Sequence, residues 1–176
     1  DLIGQCGTVT VIPAELNGAL SLQTTTPNGG LYLSTNAQES EERNIKYLID
    51  SDDATFFHSA WSWDVEATHY LQVDLGEGKS LREFAFTYKT AASGPFPYTI
   101  KVYGSNEDNY DSFQKNHLAT FSKDDAENPL PSSASKEWNS SSIYSTTAYR
   151  YLRFEVTNSG ASGLNATPKG EYCFVM

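Results

Sequence analysis

The feature that most limits what this chain can fold into is alternation with a period of two, repeated in four stretches. In residues 70–75 the apolar set is Leu71, Val73 and Leu75, and in residues 81–90 it is Phe84, Phe86 and Tyr88. Residues 98–104 offer Ile100 and Val102, and residues 149–157 offer Leu152, Phe154 and Val156. Side chains along a strand point to opposite faces in turn, so each stretch buries one face and wets the other. Gly, Pro, Asn and Ser fall between the stretches, and 176 residues are enough for one substantial core. The expectation is an all-β fold, an antiparallel β-sandwich. Shorter strands are expected over 7–13 and 31–35, and at most one or two helical turns over 37–46. The polar run 122–142 reads as a long loop, with Trp138 either a packing plug or an exposed contact, the plug being favoured.

The segment before the first strong strand is acidic and rich in oxygen. Asp50, Asp52, Asp53 and Thr55 lie within six residues, with Ala54 the sole apolar residue between them. A loop of this kind faces water or holds a hard cation, which takes several oxygens from carboxylates, carbonyls and hydroxyls.

Taken together, residues 47–76, YLIDSDDATFFHSAWSWDVEATHYLQVDLG, resemble the coagulation factor 5/8 type C (discoidin-like) family and the related family 32 carbohydrate-binding modules. A loop of the type hhDGDxxTxWxS is matched from Leu48 to Ser59, and a strand of the type hhQVDLG from Tyr70 to Gly76. Ser51 stands where the family usually has Gly, and Phe57 where it usually has Trp. The likeness continues through YTIKVYGSNEDNYDSF (98–113), closed by Phe113, and AYRYLRFEVTNSG (148–160), which carries Arg150, Tyr151 and Arg153. It covers about residues 31–176, and residues 1–30 form a lead-in that matches no motif. The resemblance implies a jelly-roll of the galactose-binding-domain-like kind. It also implies a structural calcium held by the Tyr47 carbonyl, the Asp50 carboxylate, the Asp52 carbonyl, and the Thr55 carbonyl and hydroxyl. The family usually adds a last-strand Glu, which here is either Glu171 or lies beyond Met176; in the second case the domain is truncated at its C-terminal strand.

Composition narrows the partners. Twelve Lys and Arg against 22 Asp and Glu give a formal charge of −10, and no basic face for nucleic acid or anionic lipid is expected. No apolar run approaches the length of a membrane span, and the N-terminus carries no charged-then-apolar leader, so no membrane insertion is expected. Cys6 and Cys173 sit at opposite ends of the chain; the family often pairs such residues, and spacing leaves both a disulfide and two thiols open. An extracytoplasmic setting, whether secreted, periplasmic or on the cell surface, is expected.

Aromatics make up 13% of the chain, enough that some can serve a ligand rather than the core. Residues 58–69, HSAWSWDVEATH, place Trp61 and Trp63 two apart among Asp64, Glu66 and His69. An exposed indole covers the C–H face of a pyranose while neighbouring acids and imidazoles take its hydroxyls. The same pair could instead close the core beneath the loop. His58 resembles a position that contacts sugar in some family 32 modules. Phe96, between Pro95 and Pro97, is a rigidly supported ring, and Asn158, Asn165 and Lys169 are candidate hydroxyl partners in the loop 158–169.

No nucleophile constellation or phosphate loop is present in the sequence, and Asp64 and Glu66 two apart on a short loop make no glycosidase cleft. The reading is a non-catalytic, calcium-stabilised carbohydrate-binding module of a larger secreted or surface protein, with other domains of that protein as neighbours. The alternative is a protein–protein adhesion or structural module of the same fold. Converging exposed rings favour the first, and a broad flat apolar patch favours the second.

Overall fold

A computed structural model describes residues 10–13, 20–24, 31–39, 43–52, 54–63, 65, 67–87, 96–131, 137–157, 174 and 176. The strands in chain order are β1 (Thr10–Pro13), β2 (Tyr32–Thr35), β3 (Tyr70–Lys79), β4 (Leu81–Thr87), β5 (Thr99–Ser105), β6 (His117–Ser122), β7 (Glu137–Asn139) and β8 (Tyr149–Thr157). A five-residue helix, α1 (Tyr110–Gln114), stands between β5 and β6, and a 3-10 turn, Ile45–Leu48, precedes the acidic loop. One sheet has the order β1-β4-β7 and the other β2-β3-β8-β5-β6, with every strand pair antiparallel. The two pack face to face: Phe84 of the first sheet lies 4.9 Å from Phe154 and 5.4 Å from Phe121 of the second, ring centre to ring centre. The expected all-β sandwich is the observed fold.

The alternating residues form the core. Leu71, Val73, Leu75, Phe84, Phe86, Ile100, Val102, Leu152, Phe154 and Val156 are all buried in one cluster. Trp138 joins them, packed against Phe84, Phe86 and Phe121 at 5.3–5.6 Å, so it is the expected plug. It sits on a strand, however, and the run 122–142 is not one loop. β6 ends at Ser122 and β7 pairs with β4 through Phe86 and Trp138. The lead-in also gains a role, because β1 pairs with β4 and Leu20 and Leu22 pack against the core.

At Gly76 the chain does not turn. Gly76 adopts φ 77°, and β3 continues to Lys79 with a register shift against β8 between Asp74 and Lys79, a bulge that glycine accommodates without steric cost. The outward side of β3 is buried as well. Gln72 and Arg153 face each other in register, and the Arg153 Nε and Nη2 donate to Gln72 Oε1 at 3.0 and 2.8 Å. The guanidinium lies 4.0 Å from the centres of both the Tyr70 and Phe113 rings, the latter supplied by α1. Beside it, Arg150 makes a two-pronged pair with Asp74 at 2.9 Å for each bond, which holds the Asp74 carboxyl below the usual carboxylate range. The QVDLG and RYLRF stretches are therefore two halves of one polar layer, since buried charges persist only when paired and hydrogen-bonded.

The end of the chain is tied to the segment before β3. Phe57 N–H donates to Met176 O and Met176 N–H to Phe57 O, at 2.9 and 3.1 Å. Ser59 N–H donates to Phe174 O, and the Ser59 hydroxyl accepts the Phe174 N–H at 2.8 Å. His69 Nδ1 lies 2.9 Å from the same hydroxyl. Burial, and secondarily the positive charge His58 can carry, lower the His69 pKa from 6.5 to about 4.

Two outcomes follow from this packing. A Cβ at Gly104 would come within 2.3 Å of the Tyr149 ring, so Gly104→Ala is expected to destabilise the fold by about 1–3 kcal/mol, read as a fall in Tm of about 3–10 °C. For His69, the unfolded chain takes up the proton near pH 6.5 and the folded chain near pH 4. The stability tied to its neutral form is thus complete above about pH 6.5 and drains away as pH falls toward 4, by roughly 2–3 kcal/mol. Denaturant titrations across that window should show His69→Gln with a flatter pH profile than wild type. Parallel profiles would refute the assignment.

Candidate functional site

The loop between the acidic turn and β3 is built on a short antiparallel contact with residues 37–39. Ala60 N–H donates to Ala37 O at 2.9 Å, and Gln38 bridges to Ser59. With Ala37, Phe57, Ser59 and Ala60 buried, the chain enters the loop from a fixed base. Beyond Ala60 it turns outward: Trp61 is 49% exposed and Trp63 43%, whereas Trp138 is 5% exposed. Of the two placements open to the pair in the sequence, outside the core or closing it, the structure shows the exposed one.

The Trp61 backbone and the Trp63 indole are both held from below. The Glu39 carboxylate accepts the Trp61 and Ser62 N–H groups on Oε2, at 2.9 and 3.0 Å, and the Ser62 hydroxyl on Oε1 at 2.7 Å. The Trp63 Nε1–H donates to the Gln38 carbonyl at 3.2 Å. Gln38 is itself fixed, its Oε1 accepting the Ile45 N–H and its Nε2 donating to Glu39 O. His58 packs edge-on to Trp61 with 6.1 Å between ring centres, and its Nδ1–H donates to Ser59 O at 2.5 Å. A carbonyl can only accept, so this bond places a proton on Nδ1.

The structure thus brings His58 and Trp61 together and stands Trp63 on the adjacent Gln38. It does not present Phe96 as an exposed platform: the ring is half-buried and packs against the core, which corrects the expectation drawn from its flanking prolines. His69 is buried on Ser59 rather than placed in the loop's polar rim. Asp64, Glu66, Asn158, Asn165, Lys169, Glu171, Cys6 and Cys173 lie outside the described residues. The residues missed by sequence reasoning are Gln38 and Glu39. Glu39 stands in a polar stretch with Glu41, Glu42 and Arg43 that reads as solvated surface, and nothing in a separation of 22 residues signals its bond to Trp61.

In the acidic loop, three of the four expected cation ligands converge. Thr55 Oγ1 lies 2.7 Å from Asp50 Oδ2 and 2.9 Å from the Asp52 carbonyl oxygen. The loop is shaped by Asx bonds: Asp50 Oδ1 accepts the Asp52 N–H and Asp52 Oδ1 the Ala54 N–H, at 3.0 and 2.9 Å. Ser51 adopts φ 63°, a left-handed conformation that explains why glycine is usual at this place in the motif. The oxygens are of the hard type that calcium takes, so the residues present fit that ion by donor chemistry. Among the described residues no group of three or more His, Cys, Asp or Glu side chains is placed to hold a metal, so a cation here would depend on carbonyl and hydroxyl oxygens beside the single Asp50 carboxylate.

Similar folds occur among solved structures. A family 32 carbohydrate-binding module from Clostridium perfringens, solved in complex with galactose, matches with a TM-score of 0.53 and 15% identity over 95% of this chain and 93% of that one. A second C. perfringens module, in complex with GalNAc-β-1,3-galactose, matches with a TM-score of 0.56 and 11% identity over 81% and 88% of the two chains. A fragment of a putative chitobiase from Bacteroides thetaiotaomicron gives a TM-score of 0.54 and 15% identity over 100% and 88%. Identities this low speak to the fold alone. No curated protein sequence matches the chain. The F5/8 type C domain model matches residues 33–167, most of the sequence and the whole of the described sandwich from β2 to β8, and the chain belongs to the F5/8 type C domain family.

Proposed function

We propose that this chain is a non-catalytic carbohydrate-binding module whose site is the loop bearing His58, Trp61 and Trp63. The observation that carries the reading is the pair of half-exposed indoles standing on a hydrogen-bonded base, in a protein that buries Trp138 completely in its core. A pyranose would lay its C–H face on an indole, and the His58 ring and the loop's polar groups would take its hydroxyls. Because the Trp63 N–H is satisfied by Gln38 O, that ring offers its face rather than its polar edge. Stacks of this kind add about 0.5–1.5 kcal/mol each beyond area burial, which suits weak monovalent binding in the micromolar to millimolar range. The family 32 modules of like fold that were solved with galactose and a GalNAc-galactose disaccharide support this class of ligand.

Module-type binding of this strength gains from multivalency, so the chain would act as one domain of a larger secreted or surface protein. A structural calcium would be held by the Tyr47 and Asp52 carbonyls, the Asp50 carboxylate and Thr55, fixing the turn from which the aromatic loop departs. It would supply charge and rigidity, with no part in contacting the sugar.

Isothermal titration of galactose and N-acetylgalactosamine should give a Kd between about 10 μM and 10 mM for wild type. The folded Trp61→Ala, Trp63→Ala double variant is expected to lose at least tenfold in affinity; equal binding by that variant would move the site elsewhere. For the cation, 5 mM calcium is expected to raise Tm by about 5–10 °C, the shift due to a ligand at roughly 100 times its Kd in a domain of this size. Asp50→Asn should abolish the shift, and a wild type whose Tm ignores both calcium and chelator would remove calcium from the account.

A further inference from the structure

The two tryptophans are held by a dipeptide far away in sequence, and that arrangement gives the chain a residue that no ligand needs to touch. We infer that Glu39 is the positioning residue of the aromatic loop: its carboxylate fixes the backbone at Trp61 and Ser62, and through it the direction in which the indoles stand. This rests on the reading of the loop as a sugar site and deepens it.

Glu39 accepts three bonds from the loop, two from consecutive backbone N–H groups on one oxygen and one from the Ser62 hydroxyl on the other. Two successive amides aimed at one anionic oxygen make a small backbone nest, and hydrogen bonds to a charged acceptor are about twice as strong as neutral ones. The next residue back, Gln38, takes the Trp63 indole N–H on its carbonyl. The Trp61 backbone and the Trp63 ring are consequently referenced to the same two residues, and Ala60 is referenced to Ala37 one step earlier. Among the described residues, the carboxylate is the one acceptor that holds the two amides of the 61–62 turn. Without it, the loop would sample orientations in which the rings no longer present a common platform. A binding-competent loop populated only part of the time weakens apparent affinity by that fraction, so removing the anchor costs affinity without removing any contact to sugar.

The chemistry also distinguishes substitutions. Glu39→Gln keeps the shape and one carbonyl acceptor, but replaces the second oxygen with an NH2 group that cannot accept. Glu39→Ala removes both acceptors.

The test pairs two readouts on wild type, Glu39→Gln and Glu39→Ala. One is titration with galactose and N-acetylgalactosamine; the other is amide hydrogen exchange at Trp61 and Ser62 by NMR. We expect exchange at these two amides to speed up at least tenfold in Glu39→Ala, with amides of β3 and β8 unchanged. Affinity should fall about tenfold in Glu39→Ala and by less in Glu39→Gln. Unchanged exchange at Trp61 and Ser62 overturns the proposal, whatever the sugar result. Faster exchange with wild-type affinity also overturns it, because the anchor would then be structural only. If wild type binds neither sugar, the function reading fails, and with it Glu39 as a positioning residue for sugar. The exchange result would in that case still report whether Glu39 holds the loop.

Discussion

The pairing of β3 with β8 is the constraint on which the rest of the structure depends. These strands stand at the centre of the larger sheet and are covered on both sides, so their outward residues cannot be left to water. The solution is a polar layer in which every charge has a partner. Arg153 is bonded to Gln72 and stacked between Tyr70 and Phe113, and Arg150 is paired with Asp74. Breaking one side of such a layer strands the other as a buried charge, which is why it fixes register as firmly as the apolar face does. α1 owes its position to the same layer, because the fully buried Phe113 is one of the two rings that cover Arg153.

The candidate site inherits this rigidity through a short path. β3 begins at Tyr70, directly after His69, whose ring rests on the Ser59 hydroxyl. Ser59 in turn pairs with Phe174 and bridges to Gln38. Between these fixed ends, at Ser59 and His69, lies the loop that carries both exposed tryptophans. A rigid base with a few exposed aromatic faces is what weak, repeated recognition of a sugar surface calls for: little ordering is left to be done on binding, so the small stacking energy is not consumed by it.

Much of the fold was legible in the sequence because it rests on period-two alternation, and Leu71, Val73, Phe84, Phe86, Leu152 and Phe154 carry that signal openly. β6 and β7 were not. HLATFS and EWN are short and show no clean alternation, and EWN is held by β4, about 50 residues earlier in the chain, rather than by its own pattern. The bulge at Gly76 was not legible either, because only the ladder on both sides of its φ of 77° distinguishes a bulge from a turn. In the site, the residue types were legible but their exposure was not. Phe96 and Trp61 have similar claims on paper, and only packing separates the ring laid on the core from the one facing water. Glu39 was hidden because a charge in a polar run looks solvated until its distant partners are known.

The central claim is that Trp61 and Trp63 face a sugar while Trp138 serves the core, and the three indole N–H signals report on it separately. Titrating a 15N-labelled chain with galactose and N-acetylgalactosamine should shift the Trp61 and Trp63 indole resonances along a saturable curve and leave that of Trp138 unmoved. If sugar binds while both loop indoles stay still, or if no sugar moves any of the three, the account of this loop as a carbohydrate site is contradicted.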